Sequence, residues 1–278
     1  MKIILGDNQF FGVNHADLNK GSLSKQQFSS QQAIYDFIRK SVDTGIDGLM
    51  LNSNSTAIDL LNTYNINLDL HYSVPYPHKF ASMVNENGLR SIFGLMRHNL
   101  TISDIPSFLK FIYSKDLMDA VEICIKLELP KKNRQSIKYI YLQNIITDML
   151  IASQRVDLLE KFCLVVRKLG FNPALITLNP TRLDELLQRF NKYPITKELI
   201  VCFNYNLEGF NVFPDLKQVE QQLASGTGYS VMLMSIFASG STKNDKIFET
   251  LKSLKPEYVV FGTSSLSRLR ENIAKLRE

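Results

Sequence analysis

Short apolar runs alternate along the chain with segments in which apolar positions recur at helical spacing. Eight of the runs are rich in leucine, β-branched and aromatic residues, and several lack the polar alternation of a half-exposed strand. Such runs are typical of parallel strands that are covered on both faces. The predicted strands are residues 2–6, 48–52, 69–74, 139–145, 173–178, 199–204, 230–237 and 258–262. Helical periodicity is clearest in residues 29–44, 156–169, 181–190, 216–224, 244–254 and 267–277.

The alternation of strands and helices predicts an α/β fold with a parallel sheet. Eight such units favour a single (β/α)8 TIM barrel that spans residues 1–278 as one domain, with a doubly wound open sheet as the main alternative. Residues 76–138 separate the third and fourth strands, and we expect them to form an elaborated loop or helical insertion. The fourth strand is ambiguous, because residues 139–149 also fit a helical period.

The composition restricts the partners and the location of the protein. The chain has 278 residues, of which 45% are hydrophobic and 21% charged, and its net charge is +5. Its densest basic run, residues 131–134, holds no aromatic residue that could stack on a base, so we expect no nucleic-acid partner. Cys124, Cys163 and Cys202 are widely spaced, which predicts free thiols rather than a zinc site. Since no membrane helix or signal peptide is apparent, we expect a cytoplasmic protein without a membrane partner.

The densest polar segment follows the first predicted strand and runs from Gly6 to His15. It combines a carboxylate, three amides and an imidazole with two glycines, and such groups are costly to bury without partners. In a barrel, functional groups gather at the carboxyl ends of the strands. We therefore predict Asp7 and His15 as catalytic acid–base groups, and Asn8 and Gln9 as substrate contacts. The alternative is a polar loop that is closed by local hydrogen bonds.

Other strands add amides and a few titratable groups. On the third strand, alternation places His71 and Ser73 on one face and Tyr72 on the other, and either face could line the barrel. His71 and Tyr72 are catalytic candidates, with a structural histidine as the alternative. Asn52 and Asn204 end strands two and six and are predicted substrate contacts. We expect a common rim that includes Gly6, Asn52, His71, Asn179, Asn204, Ser235 and Gly262.

If the fourth segment is a strand, it adds Gln143, Asn144, Thr147 and Asp148 to the pocket. The pocket assembled in this way is rich in amides and poor in carboxylates. Divalent metals require several carboxylates, whereas amides suit hydroxyls and phosphates. The sequence therefore predicts a small-molecule site without a metal.

Glycine- and serine-rich turns follow the last two strands, at residues 235–240 and 262–265. The second turn precedes a helix that carries Arg268 and Asn272 on one face. This pair of turns commonly binds phosphate in barrels, through backbone N–H groups and the start of a helix. The residues predicted to bind the phosphate are Ser235, Ser239, Gly240, Gly262, Thr263, Ser264, Arg268 and Asn272. The alternative is a helix that is capped by Ser265 or Ser267 and packed on the sheet.

Residues 173–278 resemble the aldo-keto reductase superfamily. The resemblance lies in Asn-Tyr-Asn-Leu at 204–207, Ser-Ile-Phe-Ala-Ser-Gly at 235–240 and Gly-Thr-Ser-Ser at 262–265, followed by Arg268 and Asn272. The first half of the chain is similar in outline only. The resemblance implies NADP as the cofactor. It places Thr263, Arg268 and Asn272 at the positions that hold the adenosine phosphate, and Asn179 among the amide contacts.

The redox end of that family's site is altered in this sequence. The family's catalytic aspartate falls on Asn52, and no tyrosine follows as the proton donor. Residues 71–73 hold no counterpart of the family's lysine on strand three. Cys202 and Met234 replace the glutamine and the tyrosine that contact the nicotinamide. Hydride transfer to a carbonyl needs a proton donor, which this chain must supply from another residue.

Three functions remain open. The first is an aldo-keto-reductase-like oxidoreductase that binds NADP and has a rearranged acid–base set. The second is a non-redox lyase or isomerase acting on a phosphorylated small molecule such as a sugar phosphate, with Asp7 and His15 as base and acid. The third is a non-catalytic barrel. The retained Arg268 and Asn272 favour the first function, because a phosphorylated substrate without adenosine does not need residues at the positions that hold the adenosine phosphate of NADP.

Overall fold

The computed structural model describes residues 1–12, 18–75, 117–189, 198–241 and 245–278. Their eight strands form one closed, parallel barrel in sequence order, in which β1 also pairs with β8. The strands are β1 Lys2–Leu5, β2 Gly48–Asn52, β3 Asp69–Val74, β4 Ile137–Leu142, β5 Asn172–Ile176, β6 Ile200–Asn204, β7 Ser230–Met234 and β8 Tyr258–Phe261. This closure confirms the predicted (β/α)8 fold and excludes the open sheet, which would leave two edge strands unpaired.

Helices surround the barrel and connect its strands. In the described residues they are α1 Leu18–Gln27, α2 Gln31–Val42, α3 Ser55–Thr63, α4 Leu117–Glu128, α5 Asn144–Ala152, α6 Val156–Lys168, α7 Pro180–Arg189, α8 Leu216–Ser225, α9 Lys246–Leu254 and α10 Leu266–Arg277. None of these helices is long and apolar enough to cross a membrane. Of the predicted insertion at 76–138, residues 76–116 lie outside the described residues, and the remainder includes α4.

Each strand buries two faces, and this explains the lack of polar alternation in the sequence. One face packs against the helices in a large outer core, to which α2 contributes Ile34, Phe37 and Ile38. The other face fills the barrel interior with a second, separate cluster. The buried residues of this inner cluster are Ile4, Met50, Tyr141, Ala174, Ile176, Ile200, Cys202, Met232, Tyr258 and Val260.

Five strands end earlier than the hydrophobic pattern predicts, and the difference is largest in β4 and β7. β4 ends at Leu142, because α5 begins at Asn144 and continues the apolar run as a helix. Apolar content alone cannot separate the end of a buried strand from the start of a buried helix. β7 ends at Met234, because Ser235 has a φ of 59° and so leaves the extended conformation.

Gly48 opens β2 where two neighbouring strands leave no room for a side chain. A Cβ atom there would lie 2.7 Å from the Asp69 carbonyl oxygen and 3.0 Å from Ile4 Cδ1. We expect Gly48→Ala to lower the free energy of unfolding by about 1–3 kcal/mol, because overpacking forces the backbone to shift. Urea denaturation followed by circular dichroism measures this loss. Gly6→Ala is the matched control, since no atom lies closer than 3.5 Å to its Cβ position. An equal loss in both variants would contradict the explanation.

Candidate active site

A buried carboxyl lies at the carboxyl end of β1, where the chain turns into a short 3-10 helix, Asn8–Phe11. Phe10 anchors this helix, since its ring packs edge-on against Phe28 and Phe37 at centroid distances of 5.1 and 5.9 Å. Asp7 precedes the helix and is only 4% exposed. The packing of Phe10 fixes the turn after Asp7, and this turn holds the Asp7 carboxyl in the mouth of the barrel.

Asp7 and Asn52 are joined by paired hydrogen bonds between β1 and β2. The backbone N–H of Asn52 donates to Asp7 Oδ2 over 2.7 Å, and its side-chain amide donates to Asp7 Oδ1 over 2.9 Å. The amide of Gln143, which follows β4, donates to Asn52 Oδ1 over 2.8 Å. The result is a polar network across the mouth of the barrel that includes the predicted residues Asp7 and Asn52. It also includes Gln143, one of the four residues that the ambiguous fourth strand offered to the pocket.

Burial raises the pKa of Asp7 to about 6, although the hydrogen bonds from Asn52 oppose part of this rise. Desolvation has this effect because it penalises the charged form of a carboxyl. A carboxyl with such a pKa can gain or lose a proton near neutral pH. Asp7 therefore meets the main chemical requirement of a general acid or base.

Gln9 packs against the turn that follows β8. Its side-chain amide donates to the Gly6 carbonyl oxygen over 2.6 Å, and Gln9 Oε1 lies directly over Gly262. A Cβ atom at Gly262 would overlap Gln9 Oε1, so a larger residue there would require the Gln9 side chain to move. Gln9 thus joins the ends of β1 and β8, whereas the neighbouring Asn8 is exposed.

His71 does not lie on the rim where the sequence placed it. It pairs in register with Met50 and Tyr139, below the level of Asn52, and is 2% exposed inside the barrel. Its Nδ1 atom is 2.7 Å from the Tyr141 hydroxyl, and its ring stacks on Tyr139 at 4.8 Å. Burial, with a smaller effect of Lys2, lowers the pKa of His71 to about 3. His71 is therefore neutral near pH 7 and belongs to the packed interior rather than to an acid–base site.

Tyr72 faces away from the barrel interior. Its hydroxyl donates to the Glu128 carbonyl oxygen of α4 over 2.6 Å, and its ring is wholly buried in the outer core. Strand alternation explains why Tyr72 and His71 point in opposite directions. Tyr72 consequently cannot reach a ligand in the barrel mouth, and we remove it from the catalytic candidates. His15, the remaining catalytic candidate, lies outside the described residues.

The predicted amide contacts on β5 and β6 hold local structure. Asn179 Oδ1 accepts hydrogen bonds from the Thr181 hydroxyl and the Arg182 backbone N–H, at the start of α7. The Asn204 amide donates to the Asn211 carbonyl oxygen over 2.9 Å and so fixes the loop after β6. Both residues lie near carboxyl ends of strands, as predicted, but these side-chain atoms already have protein partners.

The turn after β8 contains the helix cap that the sequence offered as an alternative. Ser265 Oγ accepts from the Arg268 backbone N–H over 3.4 Å, and Thr263 Oγ1 accepts from the Ser265 backbone N–H over 3.2 Å. Gln27 of α1 donates to the Ser264 carbonyl oxygen. The Arg268 side chain is exposed, and its guanidinium forms no hydrogen bond or ion pair with the described residues. The turn is thus a capped helix start that also presents a cation without a partner in the described part of the chain.

The turn after β7 has an unusual backbone. Ser235 and Ser239 have φ values of 59° and 57°, and Gly240 follows with a φ of 90°. Gly240 is exposed, and a Cβ atom there would meet nothing within 4 Å. Three N–H groups of this turn, those of Ala238, Gly240 and Ser241, donate to carbonyl oxygens within the turn. A phosphate contact at this turn stays a prediction.

Metal binding finds no support in the described part of the chain, which holds no group of three or more metal-ligating side chains. Cys163 and Cys202 are buried free thiols. Burial raises the pKa of Cys163 to about 12 and also raises the pKa of Cys202. Both thiols are therefore protonated at neutral pH and are poor nucleophiles.

Ser73 completes this end of the barrel and was not among the predicted contacts. It pairs in register with Asn52 on β2 and Tyr141 on β4, and it points inward like His71. The signal was present in the sequence, because alternation puts Ser73 on the face of His71, one step nearer the carboxyl end. Only closure of the barrel shows that this face is the inner one.

Structure comparison supports the fold that the residues suggested. A solved structure described as "Putative aldo-keto reductase from Pseudomona aeruginosa" aligns with a TM-score of 0.50 and 12% sequence identity, over 99% of this chain and 88% of its own. Neither the protein-family models nor the curated proteins give a match to this sequence. The chain therefore has an aldo-keto-reductase-like (β/α)8 barrel, and at this identity the likeness concerns the fold alone.

The pKa of Asp7 makes a prediction for stability. The folded state holds the Asp7 proton more tightly than the unfolded state, in which the pKa is near 3.8. The wild type should therefore lose stability as pH rises from about 4 to 6, and the full cost is present above about pH 6. Asp7→Asn has no carboxyl to ionise and lacks this cost. The free energy of unfolding of the variant minus that of the wild type should therefore be about 2 kcal/mol larger at pH 7.5 than at pH 4.5.

Urea denaturation at the two pH values measures the effect. The exposed Asp59→Asn is the matched control and should follow the wild type at both pH values. A difference between Asp7→Asn and wild type that is the same at pH 4.5 and pH 7.5 would refute the raised pKa.

Proposed function

We propose that the protein is an NADP-dependent oxidoreductase of the aldo-keto reductase type, in which Asp7 supplies the acid–base group. The observation that carries the proposal is the contact between Asp7 and Asn52. Asn52 stands at the position of the family's catalytic aspartate, and both hydrogen bonds from Asn52 reach the Asp7 carboxylate. The carboxyl that is missing from β2 is supplied from β1, within hydrogen-bond reach of the vacated position.

The proposed cofactor fits the residues after β8. Arg268 lies in the first turn of α10, is exposed and has no partner among the described side chains. A guanidinium suits phosphate oxygens because its donors form a planar fork. The positive end of the α10 helix dipole would add to this attraction. These features support a phosphate-bearing ligand, and the residue pattern of 262–272 favours NADP among such ligands.

The chain's own residues would move the proton. Bound NADPH would supply a hydride to the carbonyl carbon of a small-molecule substrate. Asp7 in its acid form would donate its proton to the carbonyl oxygen, so that an alcohol forms and Asp7 becomes a carboxylate. The two N–H groups of Asn52 would stabilise that carboxylate, and the Gln143 amide would keep Asn52 in this orientation.

One observation favours a second candidate, a lyase or isomerase of a phosphorylated small molecule. Cys202 replaces the family's glutamine and is fully buried in the inner cluster, where its thiol cannot hold a nicotinamide amide. Arg268 and the turn after β8 would then bind the phosphate of the substrate, and Asp7 would act as a base. In either case the partner is a small molecule. A cytoplasmic location remains a prediction for both candidates.

Titration with NADPH separates the two candidates. We expect Arg268→Ala to weaken NADPH binding roughly tenfold to a hundredfold and NADH binding much less, because one charged hydrogen bond is worth about 1.5–3 kcal/mol. Fluorescence titration measures both dissociation constants. Arg270→Ala is the matched control, because Arg270 is exposed on the same helix but two residues on, and so on another face. If the wild type binds neither nucleotide, the oxidoreductase proposal fails and the second candidate replaces it.

The pH profile tests the role of Asp7. If Asp7 donates the proton, kcat for reduction of 4-nitrobenzaldehyde by NADPH should fall as pH rises through about 6, since the acid form is lost. Asp7→Asn should be about 10²–10⁴-fold slower and lack this titration. Asp59→Asn again serves as the control and should keep the wild-type profile. An unchanged profile in Asp7→Asn would assign the proton transfer to another group.

A further inference from the structure

Ser73 carries a buried hydroxyl that has no partner among the described residues. Its side chain is 0% exposed, and its Oγ atom forms no hydrogen bond with any residue that the structure describes. Buried hydroxyls are nearly always paired, because desolvation without a partner costs stability. An alanine would fill almost the same space without that cost. Serine at this position therefore lowers the stability of the fold relative to alanine. Residues that lower stability in this way concentrate at functional sites.

The Ser73 hydroxyl lies at the carboxyl end of the barrel interior. Tyr72 points into the outer core, so Ser73 points inward, next to Asn52 in the β2 register. Asp7 contacts Asn52 from the opposite side, through β1. Asp7 and Ser73 thus flank one asparagine, about two strand spacings apart, or roughly 10 Å along the sheet. A small molecule in the barrel mouth could contact both residues.

A hydrogen bond crosses the carboxyl end of β3, the strand of Ser73. Gln143, which follows β4, donates to Asn52 Oδ1 at the end of β2 over 2.8 Å. Gln143 has a long side chain that can change rotamer without moving the backbone. Asn52 and Tyr141, which pair with Ser73 in the strand register, and Gln143, which bonds Asn52, have uncharged side chains. They suit an uncharged oxygen better than a carboxylate or phosphate, for which they offer no countercharge.

We propose that Ser73 is a ligand-contact residue whose hydroxyl binds an uncharged hydroxyl or carbonyl oxygen of the substrate. The Gln143 side chain gives way when the ligand enters. The inference rests on the proposed function only in placing the substrate in the pocket of Asp7, and it does not require NADP. It assigns the neutral, oxygen-bearing part of the substrate to β3.

The first test is stability without ligand. Ser73→Ala should melt at the wild-type temperature or above it, because an unpaired hydroxyl is removed. The matched control is Ser53→Ala, on the chain segment beside β3. Ser53 is equally buried, but its hydroxyl donates to the Glu128 carboxylate. This control should lower the melting temperature by roughly 2–6 °C. A similar drop in Ser73→Ala would show that its hydroxyl has a structural partner and would overturn the proposal.

The second test is ligand binding, measured by saturation-transfer NMR with and without NADP⁺. The probes are dihydroxyacetone, D-glyceraldehyde, erythritol and D-xylose, with glycolate as a charged comparison. We expect the wild type to bind at least one neutral probe and Ser73→Ala to bind it roughly tenfold more weakly, as for the loss of one neutral hydrogen bond. Equal binding by both, binding of glycolate alone, or no binding of any probe would overturn the proposal. If the wild type does not bind NADPH but Ser73→Ala still weakens binding of a neutral probe, the oxidoreductase proposal is refuted and the Ser73 proposal stands.

Discussion

Closure of the barrel is the constraint on which the rest of this structure depends. A closed parallel barrel has no edge, so each strand must bury one face inside and the other against the helices. The position of a residue in this alternation therefore decides its surroundings. On β3, closure sends Ser73 into the barrel mouth, His71 into the packed interior below it and Tyr72 into the outer core. Three adjacent residues thus receive three different environments.

The polar network in the mouth of the barrel depends on this arrangement. A buried carboxyl is costly, and the two hydrogen bonds from Asn52 offset only part of the cost, which leaves Asp7 with a pKa of about 6. Gln143 extends the network to the end of β4. The same network that tunes the acidity of Asp7 also covers Ser73, so the proposed acid and the proposed ligand contact share one asparagine.

The two ends of the proposed ligand site differ in chemistry. The barrel mouth presents one titratable carboxyl among uncharged side chains, whereas the turn after β8 presents an exposed guanidinium on a capped helix. Gln9 connects them, because it leaves the end of β1 and packs against Gly262. A side chain at 262 would displace Gln9 from this contact, whereas the sequence alone suggested that the glycine allows a phosphate to approach.

The sequence by itself determined the eight strands, their order and the polar segment after β1, because hydrophobic periodicity and local turn chemistry are properties of neighbouring residues. It extended β4 and β7 too far, since an apolar run continues through a strand end into a helix or turn. Only the tertiary structure decided that Asp7 meets Asn52, that His71 lies too deep to act as an acid, and that the Ser73 hydroxyl has no partner among the residues described. The Asp7–Asn52 contact joins residues 45 positions apart in the sequence. The surroundings of His71 and Ser73 depend on which face of β3 points into the barrel. Closure of the barrel determines both the contact and the inward face.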